Sequence, residues 1–263
     1  MKPLSSSTKP SRVETPAPLA LAPIVAQPAH HEGGDAAALS AINDLPKNIA
    51  VWRRKPPGHD PALVTAWALR IPRREWIFDD LVEPDCGLQR FDVNDALHDL
   101  PAGPDRSFLH EDVTSLLQRF RALLLGPGGL FEDDVNRSPG RHVLVRFAGI
   151  TDDACRKFHS DRVSLRLITT YVGPGTEWLT EGHVWRADPR ELPNCVHAAN
   201  ALIAPHPEHI ERNSPGDVAI LKGLTHPHVV SGHVPAIVHR SPPIGGSGVA
   251  RVVFTITAEL GAH

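Results

Sequence analysis

Phe158-His159-Ser160-Asp161 sets an imidazole and a carboxylate two residues apart, at the head of an apolar run, Val163 to Val172, that reads as a β-strand. Residues i and i+2 of a strand share a face, so His159 and Asp161 can reach one ion. His239, in Val238-His239-Arg240-Ser241-Pro242-Pro243, offers a third donor from a distant run of similar character. Two imidazoles and one carboxylate can hold a divalent ion such as iron(II) and leave its other positions open. Zinc(II) is the alternative metal. The competing reading is a surface His–Asp pair and an unrelated hydrogen-bonded histidine. The ordered set favours the metal, so His159, Asp161 and His239 are the candidate catalytic and metal-ligating residues.

Arg251 lies in the last apolar run, Val249 to Thr257. Alternation puts Val252, Phe254 and Ile256 on one face and Arg251, Val253, Thr255 and Thr257 on the other. A guanidinium inside such a strand needs a partner. It is either a bidentate anchor for a ligand carboxylate or half of a structural ion pair. Thr255 is a possible second donor, and Tyr171 shares the face of His159 by even spacing. Arg166 has the opposite parity and reads as structural. Lys222 beside Gly223 either neutralises an anion or ends a strand. Cys155 and the group His226, His228 and His233 are weaker candidates for metal binding.

Three segments must position these residues. Residues 1–45 carry prolines at 3, 10, 16, 18, 23 and 28 among Ser, Thr and Ala. That composition offers little apolar surface to offset ordering, so a disordered tail is expected, with His30-His31 in it as solvated histidines. Residues 46–140 are expected to be a helical region packed on the remainder. Asp60-Pro61 opens one helix, and Val113, Leu116, Leu117, Phe120, Leu123 and Leu124 give helical spacing from Asp112 to a stop at Gly126. Trp52, Trp67 and Trp76 read as core. Residues 141–263 are expected to hold the site. Val143, Val145 and Phe147 alternate as a strand, Thr151 to Lys157 reads as a short helix, and Val218–Leu221, Val229–Val230, Ala236–His239 and Val249–Ala258 read as strands. Short strands with Gly/Pro turns and no alternating helices predict a jelly-roll or cupin-like barrel, the double-stranded β-helix.

Composition limits the function. The 263 residues are 41% hydrophobic, with a net charge of −3, which gives no basic excess for nucleic acid. Three scattered cysteines (Cys86, Cys155, Cys195) make no disulfide framework. Neither a membrane-spanning run nor a secretory signal is apparent, so a cytoplasmic location is expected. No P-loop, dinucleotide fingerprint or hydrolase elbow is present. The substrate, small molecule or protein, and the oligomeric state are not legible.

The blocks Phe158–Asp161, Arg166–Thr176, Gly216–Gly223 and His239–Pro243 resemble DUF1826, a bacterial family of unknown function. The resemblance covers most of the chain from about residue 45. It implies no settled activity, and its link to zinc-homeostasis genes implies a role for metal supply. The spacing of His159, Asp161, His239 and Arg251 is also similar to that of Fe(II)/2-oxoglutarate-dependent oxygenases. That likeness implies Fe(II) at the triad and Arg251 on the distal carboxylate of 2-oxoglutarate, in an enzyme that hydroxylates a C–H bond. The departure is Val253, where those enzymes often carry serine. The alternative is a cupin-like zinc or other divalent-metal binder in metal homeostasis, without oxygenase chemistry. A third possibility is a barrel that serves only as an interaction module.

Overall fold

The final strand, Arg251–Glu259, is flanked on both sides by long partners, and the architecture grows outward from it. The computed structural model describes residues 29–55, 58–70, 74–79, 92–131, 142–152, 155–186 and 188–259. The N-terminal part contains β1 (His30–Gly33), a 3-10 helix (Ala36–Asn43), β2 (Ile49–Trp52), α1 (Pro61–Arg70), β3 (Arg74–Asp79), α2 (Val93–Ala96) and α3 (Pro104–Leu125). Then come β4 (His142–Ile150), β5 (Leu165–Val172), β6 (Glu177–Leu179), α4 (Val196–Ile203) and β7 (Ile210–Arg212). The chain continues with β8 (Val218–Lys222), α5 (Pro227–Val230), β9 (Val238–Arg240) and β10 (Arg251–Glu259).

Two sheets result. The larger has the order β1-β2-β8-β5-β10-β4-β3, and the smaller β7-β6-β9. Among the described residues only β1 and β2 pair in parallel; the other pairings are antiparallel. One face of the large sheet carries Leu165, Leu167, Tyr171, Val252, Phe254 and Ile256, buried against α1 and α3. α3 answers with Leu109, Val113, Leu116, Leu117, Phe120, Leu123 and Leu124, the stripe expected of an amphipathic helix. Each such side chain contributes about 1.5–3 kcal/mol of burial. The other face packs Ile49, Val51, Ala219 and Leu221 on Trp178 of β6, so the small sheet lies against it. The alternation of β10 holds, with its Arg251 face turned away from the helices.

The structure corrects several expectations. Among the described residues the sheet is mainly antiparallel but does not close into a barrel, and β1 and β3 are its edges. The expected tail of residues 1–45 ends earlier. His30–Gly33 pairs with β2, and the 3-10 helix, capped by Asp35 on the Ala37 N–H, buries Leu39 and Ile42. Residues 1–28 lie outside the described residues. Residues 46–140 are not helical alone, since β2 and β3 extend the same sheet. α3 begins at Pro104 instead of Asp112, because Pro fits the first helical turn and Leu109 extends the apolar stripe. Val229 and Val230 belong to α5, which His226 caps by accepting from the His228 N–H. Thr151, Asp152 and Cys155–Lys157 form turns, with Cys155 at φ +59°. Trp67 is buried and Trp52 packs on the core; the Trp76 side chain and Cys86 lie outside the described residues.

Because Ile42 is fully buried, Ile42→Ala is expected to lower unfolding free energy by about 2–5 kcal/mol in urea titration. A loss below about 0.5 kcal/mol, the range of surface substitutions, would show that this segment does not dock in solution.

Candidate metal centre

His159 is not in β5. It forms an isolated bridge with His239 of β9: His159 N–H donates to His239 O at 3.0 Å, and His239 N–H to His159 O at 2.9 Å. The segment is pinned on both sides. Ser160 Oγ donates to Ile237 O at 2.9 Å, Leu224 N–H to Asp161 O at 2.8 Å, and Phe158 N–H to Asn200 Oδ1 at 2.8 Å. Gly223 permits the approach: a Cβ there would stand 2.2 Å from Val163 O.

The backbone pairing brings the three side chains together. His159 Nε2 is 3.3 Å from Asp161 Oδ1, and His239 Nε2 is 3.3 Å from Asp161 Oδ2. All three donor atoms lie within 4.8 Å of one another, and no other such group of three occurs among the described residues. Neighbouring donors on a cation with 2.1 Å bonds sit about 3 Å apart, so the two 3.3 Å spacings already have the right size. His159 Nδ1 is 2.7 Å from Lys157 O. A carbonyl only accepts, so Nδ1 carries the proton and Nε2 is the nitrogen that faces the site. The Nδ1 of His239 is buried without a hydrogen-bond partner among the described residues. The nitrogen, nitrogen, oxygen set fits a divalent transition ion.

Charge is concentrated here. Burial pushes the Asp161 carboxyl up, but hydrogen bonds from His159 and His239 and the charges of His239 and Arg166 outweigh it, holding the group well below the usual carboxylate range. Burial pulls His159 down, yet its bonds to Asp161 and Lys157 leave it raised. Burial dominates at His239, which is lowered despite Asp161.

A cavity of about 350 Å³ contains the triad together with Arg166, Arg251, Val253 and Thr255. Arg251 is 1% exposed. Its Nε donates to Pro174 O at 2.7 Å and an Nη to Thr170 Oγ1 at 3.4 Å. No carboxylate among the described residues pairs with it. Glu177 influences it from a distance but is itself bonded to Arg212 and Arg240. Burial lowers the Arg251 pKa to about 10, so it stays cationic at neutral pH.

Tyr171 does not line this cavity. It is buried on the helix side of the sheet, donates to Asp112 Oδ2 at 2.7 Å and stacks on Phe147. Even spacing from His159 failed because residues 162–164 bend before β5 begins. The same bend reverses the reading of Arg166, which faces the cavity, bonds Asp161 Oδ2 and donates from Nε to Thr257 Oγ1 at 3.0 Å. Lys222 is buried elsewhere, its Nζ 3.0 Å from both Asp44 O and His228 Nδ1. That contact occupies the His228 nitrogen, and His226, His228 and His233 do not converge. Cys155 lines the rim of the cavity outside the triad.

A family model described as "Protein of unknown function (DUF1826)" matches residues 33–256. The chain belongs to this family. No curated protein matches it. Among solved structures, the rice dioxygenase for auxin oxidation has 14% identity and a TM-score of 0.40, covering 88% of this chain and 82% of that one. The Arabidopsis thaliana dioxygenase for auxin oxidation, in complex with 2-oxoglutarate, has 12% identity and a TM-score of 0.42, covering 89% and 92%. A Caulobacter crescentus protein assigned to the 2OG-Fe(II) oxygenase family has 13% identity and a TM-score of 0.44, covering 89% and 87%. Likeness this distant carries no argument about this member of DUF1826, whose function is read from its site.

A depressed folded-state carboxyl contributes stability above its unfolded pKa near 4, and that contribution disappears as pH falls toward the folded value. Metal-free Asp161→Asn is therefore expected to lose less stability than wild type between about pH 5 and pH 2. Parallel acid profiles in urea unfolding would contradict the carboxylate's placement.

Proposed function

We propose that this DUF1826 protein is a non-haem Fe(II)- and 2-oxoglutarate-dependent oxygenase of the hydroxylase type. His159, Asp161 and His239 would hold Fe(II), and Arg251, with Thr255, would bind 2-oxoglutarate. The two packed sheets are read as an open form of the double-stranded β-helix. When bound, iron would couple the oxidative decarboxylation of 2-oxoglutarate by O₂, to succinate and CO₂, to insertion of one oxygen atom into a substrate C–H bond.

The observation that carries this reading is Arg251. A buried guanidinium without a carboxylate partner is costly, and this one faces the same cavity as the three metal donors. A dianionic 2-oxo acid would satisfy both ends: its far carboxylate meets the guanidinium fork, and its oxo-acid end reaches the triad. The remaining residues prepare the site. Lys157 O and the backbone pairing orient His159. Arg166 holds one oxygen of Asp161 and fixes its plane. Thr170 and Pro174 O aim the Arg251 head. Val253 supplies no hydroxyl beside it; Thr170 is the hydroxyl at the guanidinium, and Thr255 lines the same cavity further along the strand.

The same triad could hold Zn(II) in a cupin-like binder, and Arg251, which has no carboxylate partner among the described residues, separates the two readings, since holding a metal does not need it. On Co(II)-loaded protein, Arg251→Ala is expected to keep the metal but bind 2-oxoglutarate about 30- to 1000-fold more weakly by calorimetry, corresponding to about 2–4 kcal/mol. Arg251→Lys should recover only part of the affinity, because an ammonium lacks the planar fork. Unchanged affinity in folded, metal-loaded Arg251→Ala would remove Arg251 from the cosubstrate site. Joint loss of metal and melting temperature would make it structural.

A further inference from the structure

Helix α4 is tied to the metal-binding segment by a carboxamide. Asn200 Oδ1 accepts from the Phe158 N–H at 2.8 Å, and Asn200 Nδ2 donates to Arg156 O at 2.9 Å. Only one orientation of the carboxamide satisfies both bonds, because a carbonyl cannot donate and an N–H cannot accept. The two bonds bracket Lys157. Elsewhere the same segment bonds the β9 chain, through the Ser241 N–H to Cys155 O at 3.0 Å and the reciprocal His159–His239 pair. Ile203 and the C-cap residue Ala204 of α4 share an apolar cluster with Phe158, which holds the helix against the segment.

The Phe158 N–H and Lys157 O are the two ends of one peptide group. That group is planar and trans, so the two point in opposite directions. Fixing the N–H on Asn200 therefore fixes the carbonyl on the far side, where Lys157 O meets His159 Nδ1 at 2.7 Å. The result is an unbroken series: His159 Nδ1–H to Lys157 O, then Phe158 N–H to Asn200 Oδ1. Hydrogen bonds in series polarise one another, so the acceptor on Phe158 makes Lys157 O a better acceptor for the imidazole. His239 is held differently. Its side chain is 7% exposed, against 34% for His159, and its Nδ1 has no hydrogen-bond partner among the described residues. Burial confines the His239 ring, whereas the more open His159 ring needs a directed bond to stay in one plane.

We infer that Asn200 is a positioning residue for the metal centre: through the Lys157–Phe158 peptide it sets the plane of the His159 ring and aims Nε2 at the ion. The inference rests on His159 as a metal ligand, which is one part of the oxygenase reading, and it applies to Fe(II) and Zn(II) alike. Asn200 acts only through the peptide, two hydrogen bonds from the imidazole.

The test uses full-length protein with Co(II) as the probe. Coordination through Nε2 leaves each Nδ1–H as a shifted proton signal in the paramagnetic NMR spectrum, and exchange of the His159 signal with water reports its bond to Lys157 O. In Asn200→Ala this proton is expected to exchange about tenfold faster and Co(II) affinity to fall about tenfold, the lower end for outer partners of a metal-bound histidine. The His239 signal should keep its shift. Asn200→Asp retains an acceptor for the Phe158 N–H but gives up the donor to Arg156 O, and its His159 proton should exchange within about threefold of the wild-type rate. Ala201→Gly, an exposed change on the same helix, weakens α4 through helix propensity alone and should leave both readouts unchanged. Wild-type exchange in Asn200→Ala, equal acceleration in Ala201→Gly, or Asn200→Asp as fast as Asn200→Ala would each overturn the assignment. Carbon-13 relaxation of the His159 ring in metal-free protein separates this inference from the metal reading. A ring rigid in wild type and loosened in Asn200→Ala supports Asn200 as the residue that positions His159; failure of the wild type to bind Co(II) would then sink the metal reading alone. A ring equally mobile in both proteins would overturn the inference.

Discussion

Two backbone hydrogen bonds between His159 and His239, residues 80 apart in the chain, set the geometry on which the site depends. They fix the two Cα positions, and the Asp161 carboxylate between the imidazoles fixes the rings. None of the three side chains could hold this arrangement alone. An imidazole buried without a partner loses its hydrogen bonds to water, and a buried carboxylate without donors would take up a proton. Together they offset these costs. The segment is held in turn by Ser160, Leu224 and Asn200, and Gly223 lets the neighbouring chain come close enough to do so.

The cavity around this triad is strongly cationic. Arg146, Arg166, Arg240 and Arg251 line it, against Asp152 and Asp161. The arginines are not equivalent. Arg146 is committed to Glu75, Arg166 to Asp161, and Arg240 to Glu177. Arg251 has a carbonyl and a distant hydroxyl. Its strand is stiffened because Val252, Phe254 and Ile256, on the opposite face, are fully buried under the helices. Hydrophobic packing on one side of β10 thus holds the proposed cosubstrate anchor rigid on the other, where binding would lose less to side-chain ordering.

Much of this was legible in the sequence, and the failures have a common cause. The two faces of β10 followed from strict alternation, and the stripe of α3 from its 3.6-residue period. His159, Asp161 and His239 converge as their spacing suggests, but through a bridge to β9 and a bend instead of one continuous strand from His159 to Val172. The bend at residues 162–164 interrupts the period. This single interruption put Tyr171 on the wrong face and hid Arg166, whose place in the cavity had no periodic signature. The early ordering of His30–Asn43 was hidden for another reason: Leu39 and Ile42 lie in an Ala-rich stretch beside proline-rich sequence, and composition averaged over 45 residues conceals two buried side chains. The edges of the sheet were also beyond reach, because non-local pairing of β1 with β2 and β3 with β4 leaves no local pattern.

The central claim is that three protein donors and one buried guanidinium form a joint site for Fe(II) and 2-oxoglutarate. Anaerobic titration with Fe(II), with and without 2-oxoglutarate, watched by visible absorption, tests it most directly. The account predicts an absorption band that needs both components and is lost in Asp161→Ala. A wild-type protein that binds Fe(II) stoichiometrically yet shows no spectral or affinity change with 2-oxoglutarate would contradict it.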